Sequence, residues 1–200
     1  MSDHAGTTWA NPAPAGTISL GFAIMIFYAL LTGKVPAEAH MLAGLWLLGA
    51  FVIQVCVGLI ELNMGADIGG NIYLWFGSFF CLATGLVFIW EYFAHIYGWP
   101  VHLGLQGYLW ICIWLVMWIN WPVFLKRFPL TLIIVFSLMN ACAPLMAFMN
   151  LGMIPAKVYA PIIGQCMGVA SLFALYSGAA MITNTAFGRQ MFPLGSPLLK

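Results

Sequence analysis

Few residues in this sequence can do chemistry from within its long apolar runs. Gln54 and Glu61 lie seven residues apart, so on a helix they share one face, and we expect that face to look inward. An unpartnered polar group costs several kcal/mol in hydrocarbon, and an ionisable one is a functional candidate by default. Glu61 therefore either reaches the lipid headgroups from the end of its run or contacts a proton or a substrate. Gln54, Asn140 and Gln165 either bridge neighbouring helices or line a pathway, and the sequence leaves both readings open.

Basic side chains are absent from the middle of every apolar run. A pathway through the protein cannot stabilise an anion with a buried cation, so it must use neutral donors or helix N-termini, or admit the protonated form. The substrate is therefore expected to be small and either neutral or weakly acidic.

Other kinds of chemistry find no support. The sequence has no nucleophile elbow, no metalloprotease motif and no paired aspartates within the runs, so we predict neither an enzyme nor a metal or cofactor site. A haem-binding redox subunit would need histidine pairs inside the membrane, whereas His40, His95 and His102 lie at run ends or in loops and His4 lies in the N-terminal segment. The five cysteines are scattered singly.

Composition defines the class of protein. Of 200 residues, 64% are hydrophobic and 6% are charged, against about 25% charged in an ordinary soluble domain. Six basic and five acidic residues give a net charge of +1, which excludes nucleic-acid binding. The chain is expected to be embedded in a lipid bilayer.

Six runs are each long enough to approach the roughly 20 residues that cross a bilayer. Short loops with turn residues separate them, so sequential neighbours must run antiparallel. We predict one all-α domain over residues 1–200, a compact six-helix transmembrane bundle, flanked by an N-terminal segment (1–15) and a C-terminal tail (184–200). The predicted spans are Gly16–Leu31, His40–Ile60, Ile72–Phe93, Gly104–Phe124, Leu130–Leu151 and Pro161–Thr183.

The distribution of basic residues predicts the orientation. The end of the bundle that carries both termini holds Lys126, Arg127, Arg189 and Lys200. The opposite end holds only Lys34 and Lys157. The positive-inside rule then places both termini in the cytoplasm, in the plasma membrane, or the inner membrane of a Gram-negative cell. Glu91 stands at the opposite end beside Trp90 and Tyr92, where an interfacial position is expected.

Small and aromatic residues at helical spacing predict packing faces. Gly77, Cys81 and Gly85 recur every four residues, as do Gly164 and Gly168, which favours close helix contacts and an oligomer. A tryptophan stripe on the fourth run is expected to face lipid or another subunit. It consists of Trp110, Trp114, Trp118 and Trp121.

Several motifs resemble the acetate uptake transporters, the acetate/succinate transporter family. The most specific is Asn11-Pro12-Ala13-Pro14 before the first run; the others are the segments 58–61 (Gly-Leu-Ile-Glu), 76–79 (Phe-Gly-Ser-Phe) and 187–195 (Phe-Gly-Arg-Gln-Met-Phe-Pro-Leu-Gly). The resemblance spans nearly the whole chain. It implies a channel or transporter for acetate and related short carboxylates, including succinate, with proton coupling as one option. It also implies a homohexamer of six-helix protomers, each with its own pore.

The resemblance assigns an apolar neck and a substrate-facing amide. By motif, the neck falls on Leu20, Phe76 and Leu138. Asn11, beside the N-terminus of the first helix, becomes a candidate donor to a carboxylate; an interfacial helix cap is the alternative.

The sequence departs from the family pattern at positions that bear on the substrate. Thr17 replaces an expected leucine, while Leu20 and Phe76 replace an expected Phe and Tyr, so one hydroxyl is missing from the neck. Asn71 is a candidate for an amide that the family carries nearby. These changes leave open which carboxylic acid the protein prefers.

A six-helix channel for urea or short amides is the alternative function. Uptake that does not depend on pH would distinguish it from a carboxylate transporter.

Overall fold

A computed structural model of the chain describes residues 9–199, and its regular structure over that range is helical throughout. His4 and Lys200 lie outside the described residues. The all-α prediction is confirmed. The helices are α1 (Ala13–Leu31), α2 (His40–Asn63), α3 (Asp67–Phe76), α4 (Thr84–Tyr97), α5 (Gly104–Ile119), α6 (Trp121–Arg127), α7 (Leu130–Asn150) and α8 (Ala156–Phe187).

The membrane-crossing segments follow the six apolar runs. Within residues 9–199, five continuous helical stretches are long and apolar enough to span a bilayer, and α5 with α6, bent by 50°, makes a sixth candidate when the two are taken as one span. The bend falls where Pro122 starts α6, because proline has no N–H with which to continue the hydrogen-bond ladder of α5. The chain is a multi-pass membrane protein.

Two predicted helix starts were wrong near prolines, and the third span is longer than predicted at both ends, running from Asp67 to Tyr97. Helix α1 begins at Ala13, three residues before the predicted start, because Pro12 takes the N-cap position and Pro14 fits the first turn. Pro161 lies inside α8 and does not start it. The same helix continues to Phe187, so the predicted C-terminal tail begins with helical residues 184–187.

The third span is one continuous rod built from three pieces. Between α3 and α4, residues 77–83 adopt π-helical turns. A Cβ on Gly77 would lie 2.7 Å from Cβ of Gln54 on α2, so only glycine allows the two helices this contact. The wider π-helical turn is typical of functional sites, and here it stands beside the buried amide of Gln54.

Glycines bring helix backbones together inside the protomer. A Cβ on Gly44 would lie 2.6 Å from the Gly85 carbonyl oxygen, which fixes the crossing of α2 and α4. Gly164 and Gly168 of α8 similarly face Thr32 and Tyr28 at the end of α1. The predicted close packing is confirmed, but these stripes are covered within one chain and are not free to pair subunits.

The tryptophan stripe does not share one environment, contrary to expectation. Trp110 is only 1% exposed and packs edge-on against Phe27, Phe79 and Phe80, whereas Trp118 is 55% exposed. Residues four apart on a helix drift by about 40° per step, which carries the stripe from the core to the surface.

The helices form a closed bundle. Helix α1 packs between α2 and α8, α8 packs on α7, and α7 on α5, while α2 covers α3 and α4. The contact of Phe79 and Phe80 with Trp110 closes the bundle between the third and fourth spans. Its interior is lined mainly by apolar side chains of α1, the third span and α7.

Candidate functional site

A cavity of about 180 Å³ opens at the end of the bundle that carries the described parts of both termini, and we refer to it as the termini-side cavity. It lies among α1, α2, α3, α7 and α8. Its polar lining comes from five residues, and its walls are otherwise apolar. The polar lining residues are Asn11, Thr17, Gln54, Glu61 and Tyr73.

Glu61 is the one acidic residue among the residues that line this cavity. It is 6% exposed and stands near the end of α2, against the backbone of Gly69 on α3. A Cβ at position 69 would collide with the Glu61 carboxylate oxygen Oε2, so glycine is needed to admit the carboxyl. No ion pair with Glu61 is formed among residues 9–199.

Gln54 lies on the same face of α2, two turns deeper, and is 1% exposed. Its Nε2 donates a hydrogen bond to the Gly16 carbonyl oxygen at 2.9 Å, which ties α2 to α1. The Gln54 amide therefore bridges two helices and also lines the cavity. The two interpretations that the sequence left open, a helix bridge and a pathway residue, are compatible at this position.

Two hydroxyls that the sequence analysis did not single out as ligands meet in the cavity. The hydroxyl oxygens of Thr17 and Tyr73 lie 3.0 Å apart, and the Ala13 carbonyl oxygen accepts from them at 2.9 and 3.0 Å respectively. Position 76 lacks a hydroxyl, but Tyr73 supplies one from the preceding turn of the same helix. The sequence signal that could have identified Tyr73 is its place one turn before Phe76 in the same helix.

Asn11 stands at the cavity entrance. Its Oδ1 accepts a hydrogen bond from the Ala13 N–H at 2.9 Å, so it caps the start of α1 as the alternative reading expected. Because the cap uses only the oxygen, the amide nitrogen keeps both hydrogens for a ligand at the entrance.

Three other candidates do not join this site. Asn71 is exposed and its Nδ2 donates to the Asp67 carbonyl oxygen at 2.8 Å. Asn140 is buried away from the cavity, with its Oδ1 unpartnered among the described residues. Gln165 faces outward from α8. Helical periodicity alone could not show that Gln165 lies on the outer face, since both of its flanking faces are apolar.

The proposed neck is only partly assembled at the cavity floor. Leu20 and Phe76 line the cavity and are almost fully buried. Leu138 is half-buried at the edge of the core, and α7 instead contributes Leu132 and Phe136 to the cavity wall. The residue that the motif assigns on α7, Leu138, therefore lies about half a helical turn from Phe136, which lines the cavity.

An aromatic barrier lies beneath that floor. Phe76 contacts Phe80 with ring centroids 5.0 Å apart, and Phe80 stacks on Phe27 at 4.6 Å. Phe80 and Phe27 are each 1% exposed. Phe27 lines a second cavity of about 170 Å³, the far cavity, which opens toward the end opposite the termini. The two cavities are thus separated by a short stack of rings.

This arrangement suits a small weak acid. The termini-side cavity offers hydroxyl and amide groups that bind a carboxyl in either protonation state, together with a carboxyl at Glu61. A substrate carboxylate beside an ionised Glu61 would be repelled, so binding there requires one proton between the two groups. Within residues 9–199, no cluster of His, Cys, Asp or Glu is arranged to hold a metal ion.

A solved structure shares this architecture. The structure of the bacterial acetate channel SatP matches with a TM-score of 0.76, covering 94% of this chain and 99% of that chain at 21% sequence identity. No protein-family model and no curated protein matches the sequence. At this identity the likeness establishes the fold.

Proposed function

We propose that this protein conducts acetate and related short-chain carboxylates, succinate among them, across a membrane through the path marked by the two cavities. The supporting observation is the likeness over almost the full chain to an acetate channel. The cavity chemistry agrees with it, because the cavity fits a few heavy atoms and presents neutral donors with no basic side chain in its lining.

The aromatic stack would act as the selectivity barrier. Crossing it as an anion costs far more than crossing it as a neutral acid, because apolar rings cannot replace the hydration of a charge. Glu61 lies in the termini-side cavity on the way to this barrier and can share a proton with an incoming carboxylate. Proton-coupled entry is therefore the mechanism that we favour over passive passage of the anion.

The assembly and orientation belong to the same proposal. We propose that the termini-side cavity opens to the cytoplasm, because Lys126, Arg127 and Arg189 lie at that end of the bundle. The plasma membrane is the proposed location, and a homohexamer the proposed assembly, from the motif resemblance. Each protomer would carry its own path.

Uptake of radiolabelled acetate into proteoliposomes tests the function. We expect saturable uptake above that of empty liposomes, stimulated by an inward proton gradient and inhibited by unlabelled propionate or succinate to different degrees. Gln165→Ala, on the outer face of α8, is the matched control and should behave as the wild type. Uptake equal to that of empty liposomes, together with pH-independent passage of urea, would instead establish the amide-channel alternative.

A further inference from the structure

The far cavity contains an acid–base pair that the proposed mechanism does not use. His40, the first residue of α2, and Glu91 of α4 both line it, with Nε2 and Oε2 3.4 Å apart. Their side chains are 26% and 17% exposed, so both are largely shielded. Glu91, for which an interfacial position is expected, thus lines a cavity.

The hydrogen bond on the other ring nitrogen of His40 determines what the pair can hold. Nδ1 lies 2.6 Å from the Ala37 carbonyl oxygen, and a carbonyl oxygen only accepts, so Nδ1 carries a hydrogen. A neutral ring then presents a bare Nε2 lone pair to Glu91. Contact between Nε2 and a carboxylate oxygen therefore requires one further proton, on the ring or on the carboxyl.

The edge of the ring is also held in place by Phe88. The two ring centroids are 5.4 Å apart at an angle of 84°. With the Ala37 hydrogen bond, this contact keeps Nε2 directed at Glu91. The geometry of the pair is therefore set by the protein and does not depend on a bound ligand.

Other charged groups at this end lie outside the cavity or are engaged elsewhere. His95 on α4 pairs with Glu38 at 3.7 Å, and both are more than half exposed. Lys34, after α1, lies over the Tyr28 ring at 5.6 Å. Helix α5 contributes Gln106 to the cavity and α7 contributes Asn150, neither of which titrates.

Two further charged groups near this end also lie outside the far cavity. His102, before α5, belongs to a separate pocket, and Lys157 is exposed at the start of α8. The pair of His40 and Glu91 therefore carries the charge of the far cavity by itself.

We propose that His40 and Glu91 form a proton-binding dyad that controls the entry of carboxylates at the far mouth. With its proton the dyad is neutral overall, and without it the dyad carries one negative charge inside a narrow apolar cavity. The first state admits a small carboxylate and the second repels it. The entry role rests on the proposed function, whereas the proton-binding role does not.

Two variants with opposite expected effects test the entry role. Rates of acetate exchange are measured in proteoliposomes at equal pH on both sides, between about pH 5 and 8, where histidine titrates. Glu91→Gln removes the negative charge and should raise the rate at the alkaline end roughly threefold or more. His40→Gln leaves Glu91 without its partner and should lower the rate across the range by a similar factor or more.

The exposed pair at the same end provides the matched control. Glu38→Gln and His95→Gln make the same charge changes outside the cavity and should alter the rates less than twofold, as expected for exposed charges. A purely structural dyad would lower the rate in both His40→Gln and Glu91→Gln. That result, or an unchanged pH profile in both, would overturn the entry role.

Nitrogen-15 NMR of labelled histidine in nanodiscs tests proton binding without any substrate. His40→Gln assigns the signal. In the wild type the Nε2 signal should show a hydrogen bonded to a carboxylate, which Glu91→Gln should abolish and Glu38→Gln should leave in place. A bare Nε2 lone pair in the wild type would refute the dyad. The hydrogen-bonded signal in a protein that conducts no acetate would refute the proposed function and leave the dyad in place.

Discussion

At the scale of single residues, the termini-side cavity combines one carboxyl with uncharged partners. Glu61 faces Gly69 across the α2–α3 contact, and the hydroxyls of Thr17 and Tyr73 converge on the Ala13 carbonyl oxygen. Such a lining can exchange a proton with a weak acid and hydrogen-bond it in either state, yet it holds no cation to trap an anion.

Glu61→Gln should flatten the pH dependence of acetate uptake while leaving folding intact. As pH rises, the proton shared between Glu61 and the substrate is lost and the two carboxylates repel each other, so wild-type uptake falls. Glutamine cannot ionise, so this loss should be absent. Proteoliposome uptake at acidic and neutral pH measures the effect. Asp67→Asn, an exposed carboxylate at the same end, is the control.

An unchanged pH profile in Glu61→Gln would mean that the carboxyl is a structural partner or a headgroup anchor. A passive channel for the anion would then be the better model.

Truncation of the barrier should widen the range of acids that pass. Leu20→Ala, Phe76→Ala and Phe80→Ala each remove apolar bulk from the cavity floor or from the ring stack beneath it, so uptake of acids larger than acetate should rise several-fold. Competition by acids of increasing size measures the change. Leu138→Ala, half-buried at the edge of the core, is the control and should keep wild-type selectivity.

If Leu138→Ala widened selectivity and Phe80→Ala did not, the neck assigned by motif would be right and the aromatic stack would not be the barrier.

Part of this site can be predicted from the sequence, because burying a polar side chain costs free energy and polar residues inside apolar runs therefore stand out. Gln54 and Glu61 could be placed on one inward face since polar residues inside apolar runs must find partners. The role of Tyr73 could not be predicted, because tyrosine is common near membrane interfaces and its partner at Ala13 is a backbone atom 60 residues away. The His40–Glu91 pair is likewise a tertiary contact between two spans.

At the scale of elements, backbone contact through glycine determines how α2 sits against the third span. Gly44 meets Gly85 near one end of α2, and Gly58 meets Gly70 near the other. Gln54 packs on Gly77 between them. The α2 face that carries Gln54 and Glu61 is therefore held at a fixed distance from the cavity.

Gly44→Ala should destabilise the protein by about 1–3 kcal/mol, because its methyl group would press on the Gly85 carbonyl oxygen and push α2 from α4. The thermal unfolding midpoint in mild detergent measures the loss. Gly49→Ala, on the same helix with no atom within 4 Å of the added Cβ, is the matched control and should be neutral or slightly stabilising. Equal midpoints for the two variants would show that the contact is not tight.

The six spans themselves could be predicted from apolar length and turn residues, and most ends agree within a few residues. Two misplaced starts lie near prolines, because Pro12 takes the N-cap position of α1 whereas Pro161 lies inside α8. The third span also extends beyond both of its predicted ends, to Asp67 and Tyr97. The π-helical turns over 77–83 could not be predicted, because their sequence is compatible with an ordinary α-helix. They depend on the fit of Gly77 against α2.

At the scale of the whole molecule, one chain supplies both cavities and the barrier between them. The termini-side cavity holds Glu61, and the far cavity holds His40 with Glu91. The two ends thus carry separate carboxyl groups on either side of one stack of rings. Under the two proposals, a pH gradient across the membrane would act on both carboxyl groups.

In the proposed hexamer, each protomer should conduct substrate independently of its neighbours. Every residue of the path described here comes from one chain, so flux should fall in direct proportion when wild-type subunits are mixed with a blocked variant. Ile72→Trp, which fills the termini-side cavity, is a suitable blocked subunit. Native mass spectrometry first establishes the oligomer and the mixing ratio, and a spectrum of monomers alone would contradict the assembly. A steeply nonlinear loss of flux would instead show that subunits share a path or change conformation together, because one blocked subunit would then silence its neighbours.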